Sequence, residues 1–163
     1  MFFIRPIEPQ DNPHIAAIIR NVSAEFGLAA DSGFAVGDQI LDHLFENYQQ
    51  EKSHYWVIVD QNNHVLGGGG AAPLVDAPDV LEIQKMYFLP QLRRQGFAQQ
   101  ILAMVFEFAR YHHIETCYLE TTHSLMQAVE LYKKMGFEIL DHPLGETGHS
   151  HACEIWMAKH IEL

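Results

Sequence analysis

The sequence predicts a mixed α+β domain in which strands come first and strands alternating with helices follow. Two hydrophobic patterns meet at its centre. Residues 81–89 form a compact apolar and aromatic run with the length of a buried strand. Phe97, Ile101, Val105 and Phe108 then recur at spacings of three and four, which makes one helix face apolar. The centre is therefore a strand, a loop and a helix.

The length and composition are those of an ordinary globular protein. With 163 residues, 48% hydrophobic and 19% charged, we expect one domain over residues 1–163. No apolar run reaches the roughly 18–20 residues that span a bilayer, and the N-terminus lacks a signal-peptide pattern. Two cysteines, Cys117 and Cys153, do not make a disulfide framework. We therefore expect a cytoplasmic protein with reduced thiols and no membrane partner.

The charge balance also limits the possible partners. The formal net charge is −11, so binding to nucleic acid, which needs basic surface, is not expected. An acidic surface suits a cationic substrate such as an amine. It also serves solubility, which is the simpler explanation of the charge.

The first part of the chain predicts one strand and two helices. Residues 2–5 form a short strand that Pro6 closes. Asp11 is a candidate N-cap for the first helix, which we expect to end at Gly27. A loop over 29–37 and a second helix over 38–50 complete this part.

A hairpin comes next, with strands over 55–60 and 65–74. The second strand contains the run Gly67–Gly70. Such a run indicates a bulge or a backbone that another group approaches closely, and a flexible bend is the alternative. It is not a nucleotide-binding loop of the ATPase type, because no Lys-Ser or Lys-Thr follows.

The last third alternates strands and helices. We expect a strand over 115–120 and a helix over 125–135, with Ser124 as N-cap and Gly136 as C-cap. Two further strands, over 137–140 and 152–159, flank a loop that contains proline and glycine.

The central loop is a candidate anion site. Pro90 ends the strand, and Gly96 lets a ligand approach the backbone before the helix begins. The N–H groups and the positive dipole end of that helix point to one place, where Arg93 and Arg94 add charge. The pattern predicts a phosphate-binding loop.

Two segments resemble the GNAT superfamily of N-acetyltransferases. The pattern Arg93-x-x-Gly96-x-Ala98 after a strand is similar to the family's acyl-CoA pyrophosphate loop. About forty residues later, residues 130–138 are similar to the family's Leu-Tyr…Gly-Phe segment. The opening strand with Asp11 fits the family's start, so the resemblance spans essentially the whole chain.

The resemblance implies a twisted mixed sheet of six to seven strands with about four helices on both faces, and acetyl-CoA as co-substrate. The backbone at Met86, Tyr87 and Phe88 would bind the pantetheine arm, in a gap where this strand diverges from residues 118–120. The expected pyrophosphate-loop residues are Arg93, Arg94, Gln95, Gly96, Phe97 and Ala98. Leu125 replaces a frequent family asparagine, so we expect Ser124 or Gln127 to supply that contact.

The resemblance also implies the catalytic groups. Tyr132 matches the tyrosine that returns a proton to the leaving thiolate. Glu82 is the candidate base, and Glu120, His123 or a water are its alternatives. Strand alternation predicts that Glu82 shares a face with Gln84, Met86 and Phe88.

We do not expect a metal. The sequence has 11 histidines, and His149 and His151 could chelate an ion. However, no acidic or cysteine cluster of zinc spacing joins them. The resemblance implies instead that the loop over 142–151 and the region over 24–50 border the acceptor site.

The predicted activity is acetyl transfer from acetyl-CoA directly to a primary amine of a small molecule. Two alternatives are a protein acetyltransferase acting on lysine or N-termini, and a non-catalytic sensor of acyl-CoA. The resemblance also implies a homodimer, for which the final strand is the candidate surface.

Overall fold

A computed structural model of the protein describes residues 1–27, 39–145 and 154–163. The predicted loop over 29–37, Cys153 and both candidate chelating histidines lie outside these ranges. The seven strands are β1 (Phe2–Pro6), β2 (His54–Asp60), β3 (Val65–Leu74), β4 (Ala77–Phe88), β5 (Thr116–Thr121), β6 (Glu138–Ile139) and β7 (Ile155–His160). The four helices are α1 (Asn12–Glu25), α2 (Leu44–Asn47), α3 (Phe97–Tyr111) and α4 (Met126–Lys134).

All seven strands form one mixed sheet, in the order β1-β2-β3-β4-β5-β7-β6. The pair β4 and β5 is parallel, whereas the other neighbouring pairs are antiparallel. The mixed sheet and the element order confirm the predicted fold class. The final strand, considered above as a dimer surface, lies between β5 and β6 rather than at an edge.

A hydrophobic core covers each face of the sheet. On one face, α3 and α4 pack through residues such as Ile101, Val105 and Val129. On the other face, α1 and the α2 region pack through Ile15, Ile19 and Leu44. The resemblance implied helices on both faces, and the apolar stripe of each helix is buried against the sheet.

A bulge in β4 changes which side chains share a face. Gly68 pairs with Tyr87, and Gly70 pairs with Gln84, so Lys85 and Met86 both stand opposite Gly69. Lys85 has a positive φ of 52°. A single extra residue reverses the alternation of the strand beyond it.

The glycine run in β3 is a place of close approach. A Cβ at Gly68 would lie 2.6 Å from both the carbonyl oxygen of Trp56 and the ring of Tyr55. A Cβ at Gly70 would lie 2.5 Å from the same ring. The run continues a paired strand, so the flexible bend is wrong and the close approach is confirmed. Small residues here give the Tyr55 ring its space.

Two local predictions were wrong. The second helix, expected over 38–50, is a 3₁₀ turn over Gln39–His43 followed by the single turn of α2. Ser124 is not the N-cap of α4, because a 3₁₀ turn over His123–Leu125 precedes that helix. In both cases a 3₁₀ turn replaces part of the predicted α-helical pattern, and such short turns lack a distinct sequence period.

Asp11 occupies the predicted N-cap position of α1 but has another role. Its carboxylate accepts two hydrogen bonds from Arg5, at 2.7 and 3.0 Å, and one from the backbone N–H of Glu8 at 2.7 Å. Asp11 is buried. A buried carboxylate is stabilised by charge-assisted hydrogen bonds, so this residue fixes β1 to the start of α1.

Candidate active site

The sheet opens between its two parallel strands. The pairing of β4 with β5 comprises Val80 with Thr116, Leu81 with Cys117, and Glu82 with Tyr118. Beyond that last pair, β4 runs on to Phe88 and β5 to Thr121 without further pairing between them. The two strands therefore diverge, as expected, and leave a gap lined by backbone amides of β4.

The loop after β4 presents helix N–H groups to the same end of the sheet. Gly96 is the N-cap residue of α3, with a positive φ of 83°, and has no side chain to occupy those groups. Arg94, also at positive φ, is exposed. Phe97 packs edge-on against Phe2, and Ala98 lies in the first helical turn. This geometry suits a phosphate group.

Arg93, by contrast, has protein partners. Its guanidinium makes a bidentate pair with Glu25, at 2.6 and 2.8 Å, and also donates to the carbonyl oxygen of Phe88 at 3.1 and 3.2 Å. It lies 5.3 Å from the ring centroid of Phe26. The hydrogen bonds from Arg93 lower the pKa of the Glu25 carboxyl. Arg93 therefore ties the end of α1 to the loop.

The β4 bulge corrects the predicted neighbours of Glu82. Met86 and Phe88 pack against the α3 core, together with Leu81 and Ile83. Tyr87 packs on the opposite face, the α1 side. The prediction that Glu82 shares a face with Met86 and Phe88 is therefore wrong, because the bulge at Lys85 reverses the alternation.

Glu82 is a buried carboxylate, with 5% of its surface exposed. Its Oε1 accepts a hydrogen bond of 2.6 Å from the amide nitrogen of Gln84. The amide oxygen of Gln84 in turn accepts from the hydroxyl of Tyr48, also at 2.6 Å. Sequence reasoning missed this role of Tyr48, since nothing local links it to Gln84.

Tyr118 and Glu120 face the same side from β5, because Cys117 and Leu119 pack into the α3 core. The Tyr118 hydroxyl donates to Glu120 at 2.6 Å and accepts from the backbone N–H of Leu144 at 3.3 Å. Burial, the hydrogen bond to Glu120 and the charges of both carboxylates raise the pKa of Tyr118. The α1 side of the gap thus brings two carboxylates and a tyrosine together. Alternation along β5 is the signal that could have placed Tyr118 here.

Tyr132 belongs to the other core, which α3 and α4 form. It lies on α4, 9% exposed, with its ring 5.9 Å from that of Phe137. Burial raises the pKa of Tyr132 to about 12, and the Tyr87 hydroxyl adds to this shift. Since Tyr87 packs on the α1 side, this interaction reaches across the sheet.

The remaining predicted residues lie at the surface. Gln127, Ser124 and His123 are exposed, and the backbone N–H of His123 donates to Glu154 at 3.0 Å. Gln95 is exposed, and its side chain donates to the carbonyl oxygen of Gln91.

In the described ranges, no three or more His, Cys, Asp or Glu side chains form a group that would hold a metal ion. Nor do the described helices include one with the length and apolar character to cross a membrane.

Comparison with known proteins supports the resemblance. Residues 23–137 match the sequence model of the acetyltransferase (GNAT) family. The chain is 47% identical over 159 residues to the uncharacterized N-acetyltransferase YjgM of Escherichia coli, covering 97% of this chain and 94% of that protein. It is 28% identical to human N-acetyltransferase 8 over 71% of this chain and 49% of that one.

Solved structures share the fold. A GNAT-family acetyltransferase from Staphylococcus aureus superposes with a TM-score of 0.82 at 16% identity, covering 99% of this chain and all of the other. N-acetylglutamate synthase from Neisseria gonorrhoeae, solved with coenzyme A and N-acetyl-glutamate, gives 0.74 at 21% identity, over all of this chain and 36% of the other. Together with the family match, these findings show that the chain belongs to the GNAT family of acetyltransferases and is an N-acetyltransferase.

Proposed function

We propose that the enzyme transfers acetyl from acetyl-CoA directly to a primary amine of a small molecule. The observation that supports this most is the arrangement around the gap between β4 and β5. Glu82 is buried on the α1 side of the gap, and Tyr132 is buried on the α4 side. A base and an acid on opposite sides of one gap suit a reaction in which an amine and a thioester meet between them.

In this mechanism Glu82 accepts a proton from the ammonium group, directly or through a water. The neutral amine attacks the thioester carbonyl carbon, and the carbon–sulfur bond then breaks. The thiolate takes the hydroxyl proton of Tyr132, which recovers one through solvent from the newly formed amide nitrogen. Glu82 releases its proton to water, so the products are an amide, free coenzyme A and a proton.

Acetyl-CoA fits the loop and gap described above. The α3 N-terminus at Gly96 would hold the pyrophosphate, with Arg94, Gln95, Phe97 and Ala98 around it. The β4 backbone at Met86, Tyr87 and Phe88 would bind the amides of the pantetheine arm. Gln127 would contact the cofactor from the start of α4. A cytoplasmic location accords with this intracellular co-substrate.

The acceptor side supports a small cationic substrate. Glu82 and Glu120 place negative charge there, and the buried Tyr118 donates its hydroxyl hydrogen to Glu120. Such an acidic site favours a small cationic amine. Coenzyme A release should therefore be fastest with a small primary amine in a panel that also includes lysine peptides and peptides with free N-termini.

The experiment separates the alternatives. Glu82→Gln should lower turnover about a hundredfold or more, the range of general base catalysis, while acetyl-CoA still binds. Turnover restricted to the peptides would instead assign a protein acetyltransferase. Acetyl-CoA binding without thiol release for any amine would assign a sensor.

A further inference from the structure

Two hydrogen bonds connect Glu82 to the end of α2. Tyr48 donates to the Oε1 of Gln84, and the Nε2 of Gln84 donates to Glu82, both at 2.6 Å. Tyr48 follows α2 directly and is buried. It lies 36 residues before Gln84 in the sequence, so the fold rather than the local chain builds this connection.

The direction of these bonds matches an ionised Glu82. A carboxylate only accepts hydrogen bonds, so the amide nitrogen of Gln84 must face it. The amide oxygen then faces Tyr48, whose hydroxyl is a donor. Each donor thus meets an acceptor when Glu82 carries its charge, which is the state a base needs before it accepts a proton.

Tyr48 is itself held in place by contacts outside the connection. Its ring packs at 5.1 Å from that of Tyr55. The start of α2 is fixed to α1, because Asn12 accepts from the Phe45 N–H at 2.8 Å and donates to Glu46 at 2.8 Å. The donor end of the connection is therefore preorganised, which lowers the cost of holding Glu82 in one geometry.

We propose that Gln84 and Tyr48 are positioning residues that hold the Glu82 carboxylate, in its ionised form, at the point where β4 and β5 diverge. This inference rests on the proposed function for the role of Glu82 as base. Among the described residues, the titratable groups on this side of the sheet include Tyr118 and Glu120 from β5, Tyr87 from β4 and Tyr55 from β2, besides Tyr48 itself.

The primary test follows the Glu82 carboxyl by ¹³C NMR during a pH titration of the full chain, with Glu82→Gln to assign its signal. Gln84→Met removes the hydrogen bond from Gln84 to the carboxylate and should raise the midpoint by about one pH unit. Tyr48→Phe removes only a hydroxyl and should raise it less. In the double variant the midpoint should equal that of Gln84→Met, because Tyr48 acts through Gln84.

Kinetics supply the second readout. In the pH profile of kcat/KM for the amine, the acidic limb should move to higher pH. For each variant the shift should equal that of its NMR midpoint, and the KM for acetyl-CoA should stay unchanged. Tyr111→Phe, a change at a tyrosine that is 80% exposed, is the matched control and should move neither. Thermal unfolding of each variant separates a folding defect from a change in the carboxyl.

The two proposals fail in different ways. A midpoint that neither variant moves, or effects that add in the double variant, would overturn the positioning role even in an active enzyme. An enzyme that releases no thiol with any amine contradicts the proposed function, and the NMR titration still decides whether Gln84 and Tyr48 hold Glu82.

Discussion

At the scale of single residues, the site is defined by groups whose burial sets their protonation. Tyr132 was identified from the Leu-Tyr segment, and the structure adds its surroundings: an apolar core with the Tyr87 hydroxyl within electrostatic reach. Because burial raises its pKa to about 12, Tyr132 remains protonated throughout the pH range in which amines become neutral. A proton donor for a thiolate requires that state.

Tyr132→Phe should lower kcat about a hundredfold without changing the affinity for acetyl-CoA, since only the proton donor is removed. The difference should persist from pH 7 to pH 10, because the wild-type hydroxyl does not ionise in that range. Steady-state kinetics and direct binding of acetyl-CoA measure the two quantities. Equal turnover in variant and wild type would contradict the acid role.

At the scale of elements, the glycine run of β3 depends on close packing of the backbone against a ring. The Tyr55 ring lies against β3, and its hydroxyl donates to the carbonyl oxygen of Lys85 at 2.7 Å, inside the β4 bulge. The glycines therefore let one ring connect β2, β3 and the bulge. The bulge in turn determines which β4 side chains face the acceptor.

Gly68→Ala should destabilise the fold by about 2 kcal/mol or more, because its Cβ would meet a backbone oxygen that cannot move aside. Gly69→Ala is the matched control. Its Cβ would lie 3.3 Å or more from the side chains of Ile101 and Met86, which can adjust. Urea unfolding measures both variants, and equal losses of stability would contradict the close-approach explanation.

The pair between Arg93 and Glu25 gives a second prediction at this scale. Arg93→Ala should raise the KM for acetyl-CoA about tenfold, because the loop loses its bonds to α1 and to Phe88. Glu25→Gln should also raise it, by about twofold to threefold. If Arg93 were instead a phosphate ligand that Glu25 restrains, Glu25→Gln would lower that KM.

A similar ion pair provides the control. Arg20, also on α1, makes a bidentate pair with Asp42 at 2.9 Å, away from the loop. Arg20→Ala should leave the KM for acetyl-CoA unchanged. A rise equal to that of Arg93→Ala would show that any loosening of α1 has the same effect.

At the scale of the whole molecule, one sheet is shared by both cores, so we expect residues 1–163 to unfold in a single transition. Several ionisable groups are buried in this structure. Burial raises the pKa of the Cys117 thiol from 9.0 to about 12. Between about pH 9 and pH 12, the thiol therefore stays neutral in the folded state but ionises in the unfolded state.

Stability should consequently fall at alkaline pH. The unfolded thiol ionises near its ordinary pKa, so the contribution of Cys117 is complete below about pH 9 and is lost as the pH rises towards 12. The slope is about 1.4 kcal/mol per pH unit for each such group. Urea unfolding between pH 7.5 and 10 measures it. Cys117→Ala should reduce the slope between pH 9 and 10, and an unchanged slope would contradict this origin.

The sequence predicted the fold well because hydrophobic period and loop chemistry are local signals. The loop at Gly96, the helix face from Phe97 and the strand at 81–89 all follow from neighbouring residues. The β4 bulge was not predictable, because Lys85 adopts a positive φ that nothing in its identity indicates. The hydrogen bond from Tyr48 to Gln84 was not predictable for another reason, because it joins distant parts of the chain.

Because β4 and β5 diverge, the edge of β4 beyond Glu82 is not paired with β5. An unpaired strand edge can form hydrogen bonds with another backbone. This edge of β4 lies inside the molecule, between the two hydrophobic cores. A ligand with peptide-like amides can act as the missing strand. Hydrogen–deuterium exchange at residues 86–88 should therefore slow when coenzyme A binds, while the exposed turn at residues 61–64 is unchanged. Equal exchange with and without coenzyme A would mean that the arm does not pair with β4.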